Sequence, residues 1–262
     1  MQNYSSLLLL LKETALEAGE KILEIYNSNN FEIETKSDAT PVTRADLAAH
    51  EVIFENLKNT DFPILSEEGK TIPYQERKNW ETLWVVDPID GTKEFIKKND
   101  EFTVNIALIH QNQPVLGVVY APALEKLYFG GVPLGAYLQK QNQSPQRLEI
   151  IERVAAPIRI ATSRSHLNKK TKEFIESFEE ETRTIAVGSS LKFMLLAENK
   201  IDLYPRFGPC MEWDTAAAHA VLKGLNVEII SMEDQRPLRY NKEDLYNPHF
   251  IVEKTEINSS DA

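Results

Sequence analysis

Cysteine is nearly absent: Cys210 is the single one in 262 residues. No intramolecular disulfide can form, which excludes the disulfide-stapled secreted scaffolds and points to a reducing, cytoplasmic setting. Positive charge is also scarce. Twenty-nine lysines and arginines face forty aspartates and glutamates, a net charge of −11. Long-range repulsion then opposes a nucleic acid or an anionic lipid surface as partner. Long apolar runs are missing as well. The leucines from Leu7 to Leu11 are followed at once by Lys12 and Glu13, far short of the roughly 20 residues of a membrane span. They also lack the flanks of a secretion signal. Peripheral contact with the inner membrane face stays open, as does the oligomeric state.

Most catalytic motifs are missing too. There is no Walker phosphate loop, no Rossmann glycine pattern and no Gly-x-Ser-x-Gly elbow. His50-Glu51 starts like a zinc-protease helix, but Phe54 stands where the second histidine belongs. Cys210 has only Pro209 and Met211 beside it and reads as a buried structural residue.

What remains is an ordinary globular composition, 42% hydrophobic, long enough for one large domain or two small ones. The leucine run from Leu7 to Leu11, continued by Ala15, Ala18, Ile22 and Ile25, predicts the buried face of an amphipathic helix over 4–26. A strand is expected over 31–35. Thr43-Arg44-Ala45-Asp46 has capping-box spacing ahead of a second helix. Short strands over 63–65 and 83–86 run into Ser66-Glu67-Glu68-Gly69 and Asp87-Pro88-Ile89-Asp90-Gly91-Thr92. Apolar runs split by turn residues over 102–140 predict an antiparallel meander. Beyond a seam near Ala155-Ala156-Pro157 come a strand over 158–161 and helices over 169–178, 190–198 and 215–222. The pattern is α+β in residues 1–155 and α/β in residues 156–262.

The chemistry concentrates between Leu83 and Phe95. An apolar strand delivers Asp87 to its end, and Pro88 keeps Asp87 extended. The Asp90-Gly91 turn then lets two carboxylates and the carbonyl of Ile89 converge. Hard oxygen donors without histidine or cysteine suit Mg²⁺. A helix opening at Thr92 would offer free N–H groups to a phosphate. The plainer reading is an Asp-Pro turn with an Asp-Gly tail. Three further carboxylates have plain readings of their own: Glu67 a solvated loop residue, Asp214 an N-cap of the helix after it, and Asp46 the acidic member of the capping box. Ser189 and Lys192 read as a helix start carrying a solvated lysine.

The residues Asp87-Pro-Ile-Asp-Gly-Thr92 together with Trp213-Asp214 resemble the paired signature of the inositol monophosphatase superfamily of Mg²⁺-dependent, lithium-sensitive phosphatases. Thr40-Pro-Val-Thr-Arg-Ala-Asp46, Leu65-Ser-Glu-Glu68, Gly91-Thr-Lys-Glu-Phe95 and Tyr204-Pro-Arg-Phe-Gly208 resemble its bacterial 3′(2′),5′-bisphosphate nucleotidase branch. One departure is Ala218, where this branch commonly carries glycine. The resemblance implies a layered α-β-α-β-α sandwich, with a metal-site domain over 1–155 and a nucleotide-side domain over 156–262. It implies hydrolysis of adenosine 3′,5′-bisphosphate to AMP and phosphate, in sulfate assimilation or nucleotide recycling. Glu67, Asp87, the Ile89 carbonyl, Asp90 and Asp214 would hold two or three Mg²⁺ ions. Asp46 and Thr92 would orient and deprotonate the attacking water, and Gly91 and Thr92 would donate backbone N–H groups to the phosphate. His166, Ser189, Lys192 and Arg206 would take the nucleotide. An inositol or sugar phosphate phosphatase of the same superfamily is the alternative, and a non-catalytic metal- or nucleotide-binding regulator a further one.

Overall fold

The computed structural model describes residues 3–28, 30–35, 41–132, 134–151, 156–164 and 168–254. Helix α1 (Tyr4–Ser28) buries Ala15, Ala18, Ile22 and Ile25 as expected. Of the leucines from Leu7 to Leu11 only Leu8 and Leu11 are buried, and Leu9 is exposed, because a helix turns consecutive residues to different sides. The expected strand over 31–35 shrinks to β1 (Glu34–Thr35), paired with β2 (Pro41–Val42). Glu32 upstream has φ 45°, a left-handed conformation that no strand accommodates. Helix α2 (Arg44–Leu57) opens with the expected capping box, Thr43 at the N-cap and Asp46 reaching back to its N–H.

Seven strands form the central sheet in chain order: β3 (Ile64–Ser66), β4 (Thr82–Asp90), β5 (Thr103–His110), β6 (Gln113–Ala121), β7 (Lys126–Gly131), β8 (Gly135–Lys140) and β9 (Gln146–Arg147). The meander from β4 onward is antiparallel, and β3 lies parallel beside β4. Short helices α3 (Tyr74–Arg77) and α4 (Thr92–Ile96) flank β4 along the chain. A second sheet joins β10 (Ile158–Ser163), β11 (Thr182–Val187), β12 (Leu203–Arg206), β13 (Ile230–Ser231) and β14 (Phe250–Glu253) in the order β11-β10-β12-β14-β13. It carries α5 (Lys169–Glu176), α6 (Leu191–Ala197) and α7 (Ala216–Lys223).

Strand alternation sorts the layers, because successive side chains point to opposite faces. Trp84, Val86, Ile106 and Leu108 pack with α1 and α2. Leu83, Val85, Ala107 and Ile109 face the other way, onto α6, α7 and residues Tyr204, Phe250 and Val252 of the second sheet. Phe174 and Ile175 of α5 cover its outer face at Ile158, Ile160 and Leu203. The result is the expected α-β-α-β-α sandwich. Helix α7 lies so close to β6 that a Cβ on Gly117 would stand 2.2 Å from the Ala217 carbonyl oxygen. Ala218 is buried in the same layer. Asp87 continues the Leu83 and Val85 alternation, so the fold aims it into the α6–α7 layer.

Candidate active site

Four separate chain regions meet at the end of β4. The parallel pairing of β3 with β4 places Ser66 opposite Val86, and Glu67 N–H donates to the Val86 carbonyl at 3.1 Å. Glu67 therefore stands beside Asp87 at the strand ends. After Asp90 the chain turns through Gly91, whose φ of 97° favours a residue without Cβ. Helix α4 starts at Thr92 as expected. The turn after β12 and the start of α7 bring in Asp214. Carboxylate oxygens of Glu67, Asp87 and Asp214 all lie within 4.8 Å of one another.

Asp214 corrects its plain reading. It is not the N-cap of α7: Thr215 holds that position, and Asp214 Oδ2 instead accepts from Met211 N–H at 2.8 Å. Because α7 opens one residue later, the Asp214 side chain is free to turn toward the other carboxylates. Asp46 keeps its capping role through Oδ2, which accepts from Thr43 N–H at 2.8 Å and Thr43 Oγ1 at 2.6 Å. Its other oxygen accepts from Thr92 Oγ1 at 3.0 Å. Thr92 Oγ1 also lies 3.3 Å from the Ile89 carbonyl.

The site is electrostatically poised for a cation. Asp87 is 1% exposed, and both of its carboxylate oxygens lack a hydrogen-bond partner. Burial, then the charges of Glu67, Asp90, Asp214 and Asp46, push its carboxyl well above the ordinary range. Burial and the repulsion of Asp214 raise Asp90 to about 7. Burial and Glu67 raise Asp214 to about 6, and burial raises Asp46. Two buried Asp87 oxygens without a hydrogen-bond partner, set among further hard acidic oxygens, are surroundings that suit Mg²⁺ or a similar cation.

A cavity of about 270 Å³ opens over Glu67, Asp87, Asp90 and Asp214, with Ile89, Gly91, Thr92, Ser189, Lys192 and Arg206 also in its walls. Lys192 overturns the solvated-lysine reading. It is 4% exposed, because α6 turns its stem inward, and its Nζ donates to the Ser189 carbonyl at 2.6 Å. Burial lowers its ammonium to about 8, against the opposing pull of Asp90. Ser189 holds a left-handed φ of 46°, a conformation rare outside glycine and asparagine. Arg206, at the end of β12, donates from Nη2 to the Pro209 carbonyl at 2.6 Å. It also borders a second cavity of about 430 Å³ that includes Asn168 and Phe207, so it separates an acidic lobe from a less polar one. His166 lies outside the described residues.

Some contributors carry no local signal. Glu101 accepts from Arg164 through both oxygens, at 2.7 and 2.6 Å, and from Gly188 N–H at 2.8 Å. This ties the segment after α4 to the turn before α6. Arg164 stands inside the string Ser163-Arg-Ser-His166, but only folding shows its partner. Cys210 is buried, which pushes its thiol well above the ordinary value and fits a structural role.

The sequence pattern of the inositol monophosphatase family matches residues 3–260. A 3′(2′),5′-bisphosphate nucleotidase CysQ of Salmonella typhimurium is 42% identical over 243 residues, covering 92% of this chain and 96% of that protein. A CysQ of Escherichia coli K12 is 42% identical over 244 residues, 92% of this chain and 96% of that one. The crystal structure of CysQ from Bacteroides thetaiotaomicron superposes with a TM-score of 0.86 at 44% identity, over 96% of this chain and 98% of the other. Extragenic suppressor protein suhB from Bartonella henselae shares the fold, at a TM-score of 0.75 and 24% identity over 95% of this chain and 93% of that one.

Proposed function

Since the chain belongs to the inositol monophosphatase family, we propose that it is a 3′(2′),5′-bisphosphate nucleotidase, a Mg²⁺-dependent phosphomonoesterase that converts adenosine 3′,5′-bisphosphate to AMP and phosphate. The observation that carries this reading is the meeting of Glu67, Asp87 and Asp214 oxygens within 4.8 Å in one cavity with Lys192 and Arg206. Carboxylates alone would repel a phosphate ester. Carboxylates that hold cations, with two protein cations beside them, suit a substrate bearing two phosphates.

Glu67, Asp87, Asp90, Asp214 and the Ile89 carbonyl would hold the Mg²⁺ ions. Bound ions of this kind draw in phosphate oxygens, acidify a water and stabilise a leaving alkoxide. The protein's own part lies at Thr92 and Asp46. Thr92 Oγ1 is placed to accept a proton from the attacking water while passing its own to Asp46 Oδ1 at 3.0 Å. Burial raises Asp46, which makes it a better base. The N–H groups of Gly91 and Thr92 orient the scissile phosphate. Water then attacks phosphorus in line, the phosphorus–ester oxygen bond breaks on the far side, and no phosphoenzyme forms. Ser189, Lys192, Arg206 and His166 take the nucleotide.

The same reading places the enzyme in sulfate assimilation or nucleotide recycling in the cytoplasm, and predicts inhibition by Li⁺. No helix among the described residues is long and apolar enough to cross a membrane. The test is phosphate release from adenosine 3′,5′-bisphosphate, inositol 1-phosphate and fructose 1,6-bisphosphate, with Mg²⁺ and with excess chelator. The bisphosphate nucleotide is expected to lead in kcat/KM, and chelator to abolish turnover. A preference for the inositol or sugar ester would move the chain to another branch of the family.

A further inference from the structure

Two buried polar groups face each other across the central sheet, each short of a partner. Asn105 on β5 is the register partner of Asp87 on β4. Directly opposite residues of an antiparallel pair share a face, with Cβ atoms about 4.5–5.5 Å apart. Both residues are 1% exposed. The Asn105 carbonyl end is occupied: Ser190 Oγ donates to Oδ1 at 2.9 Å and also lies 2.7 Å from Thr103 Oγ1. Nδ2, at the other end of the amide, has no partner, and neither oxygen of Asp87 has one. Turning the amide over would aim its oxygen at a cluster of carboxylates, so the local charge keeps the N–H₂ end toward Asp87. Native proteins rarely leave a buried donor opposite a buried acceptor unused.

We infer that Asn105 is a positioning residue for the metal site: its Nδ2, unbonded within the chain itself, would donate to one Asp87 oxygen when a cation takes the other. This rests on the metal-site reading above. Ligating carboxylates are commonly held in this way by a hydrogen bond on their outer oxygen. Ser190 acts one step further back. Its hydroxyl pins the amide, and its backbone N–H reaches Asp90, so α6 and β5 brace two of the proposed ligands together. Asn105 itself touches neither cation nor substrate.

The test titrates the chelator-stripped full chain with Mn²⁺, reading the free ion by electron paramagnetic resonance. Asn105→Leu removes the amide at similar volume and leaves Ser190 its Thr103 partner. Mn²⁺ affinity is expected to fall about 10–100-fold. The melting temperature in chelator should hold, because removing the unpaired Nδ2 offsets loss of the Ser190 bond to Oδ1, and Ser190 keeps Thr103 as partner. Ser190→Ala keeps the amide but unpins it, and a smaller fall in Mn²⁺ affinity is expected there, with the fold intact. A merely structural Asn105 gives the opposite pattern: a lower melting temperature in chelator and Mn²⁺ affinity within about twofold of wild type, where outer-shell roles cost tenfold or more. That pattern, or unchanged Mn²⁺ affinity in Ser190→Ala, overturns the inference. A wild-type chain that binds no Mn²⁺ overturns the metal-site reading itself.

Discussion

Thr92 Oγ1 donates to Asp46 Oδ1 at 3.0 Å, joining the first residue of α4 to the first turn of α2. One aspartate thus serves two purposes: its Oδ2 closes a capping box, and its Oδ1 is left for the hydroxyl that faces the cavity. The capping bonds fix the carboxylate in place before any substrate arrives, which is what a positioned base requires.

Thr92→Val tests that relay, because it removes the hydroxyl and keeps the side-chain volume. Loss of a positioned proton acceptor should lower kcat by roughly 10²–10⁴ with little change in KM. Steady-state kinetics on adenosine 3′,5′-bisphosphate would show it. A change confined to KM would reassign Thr92 to substrate binding.

The raised carboxylates set a pH dependence with a defined sign. Asp90 at about 7 and Asp214 at about 6 both lie above their ordinary value of 3.8. Each proton is held more tightly folded than unfolded, so the stabilisation is full below about pH 4 and is lost as pH rises through 6 to 7. In chelator, the melting temperature should fall between about pH 4 and pH 7. Excess Mg²⁺ should flatten that slope and raise the melting temperature most at the alkaline end, since cation binding favours the deprotonated form. Calorimetry with and without Mg²⁺ measures both effects, and a flat profile in chelator would contradict this charge assignment.

Asp90→Asn keeps the turn and removes one charge from the cluster. We expect kcat to fall about 10²–10³-fold, as for other lost electrostatic groups. In chelator at neutral pH the variant should melt above wild type, because repulsion with Asp214 is relieved. Wild-type activity with unchanged Mg²⁺ dependence would reduce Asp90 to a turn residue.

Lys192→Met and Arg206→Ala separate nucleotide recognition from phosphate chemistry. Each cation is assigned to the phosphate that is not cleaved, and charge-assisted hydrogen bonds contribute about 1.5–3 kcal/mol. KM for the bisphosphate should therefore rise about 10–150-fold, while slow hydrolysis of inositol 1-phosphate stays nearly unaltered. Lys192 sits at about 8, so it loses its charge as pH rises through that value. Wild-type KM for the bisphosphate should climb above pH 8, and the Lys192→Met profile should not. Equal losses on both substrates would remove the assignment.

Much of this site is legible along the chain because its parts are local. The capping box at Thr43 and Asp46, the apolar run of β4 and the Asp87-to-Thr92 turn each follow from neighbours a few residues away. Lys192 and Asp214 were not legible in this sense. A lysine near a helix start is ordinarily solvated and an aspartate before a helix ordinarily caps it. Packing of α6 and α7 against the sheet overrules both. Glu101 with Arg164 and Asn105 with Asp87 are further apart still, paired by a salt bridge across the cleft and by strand register.

By itself, then, the sequence determined the class of elements, the amphipathic face of α1, the turn that holds two aspartates and the resemblance that names the chemistry. Tertiary structure decided which charges became neighbours. Periodicity reports which side of an element is buried, and capping and turn preferences act over a few residues. Neither specifies that β3 lies parallel beside β4, or that α7 presses onto Gly117. Those two packing choices bring Glu67 and Asp214 to Asp87, and the low-dielectric interior they create is what raises the carboxylates.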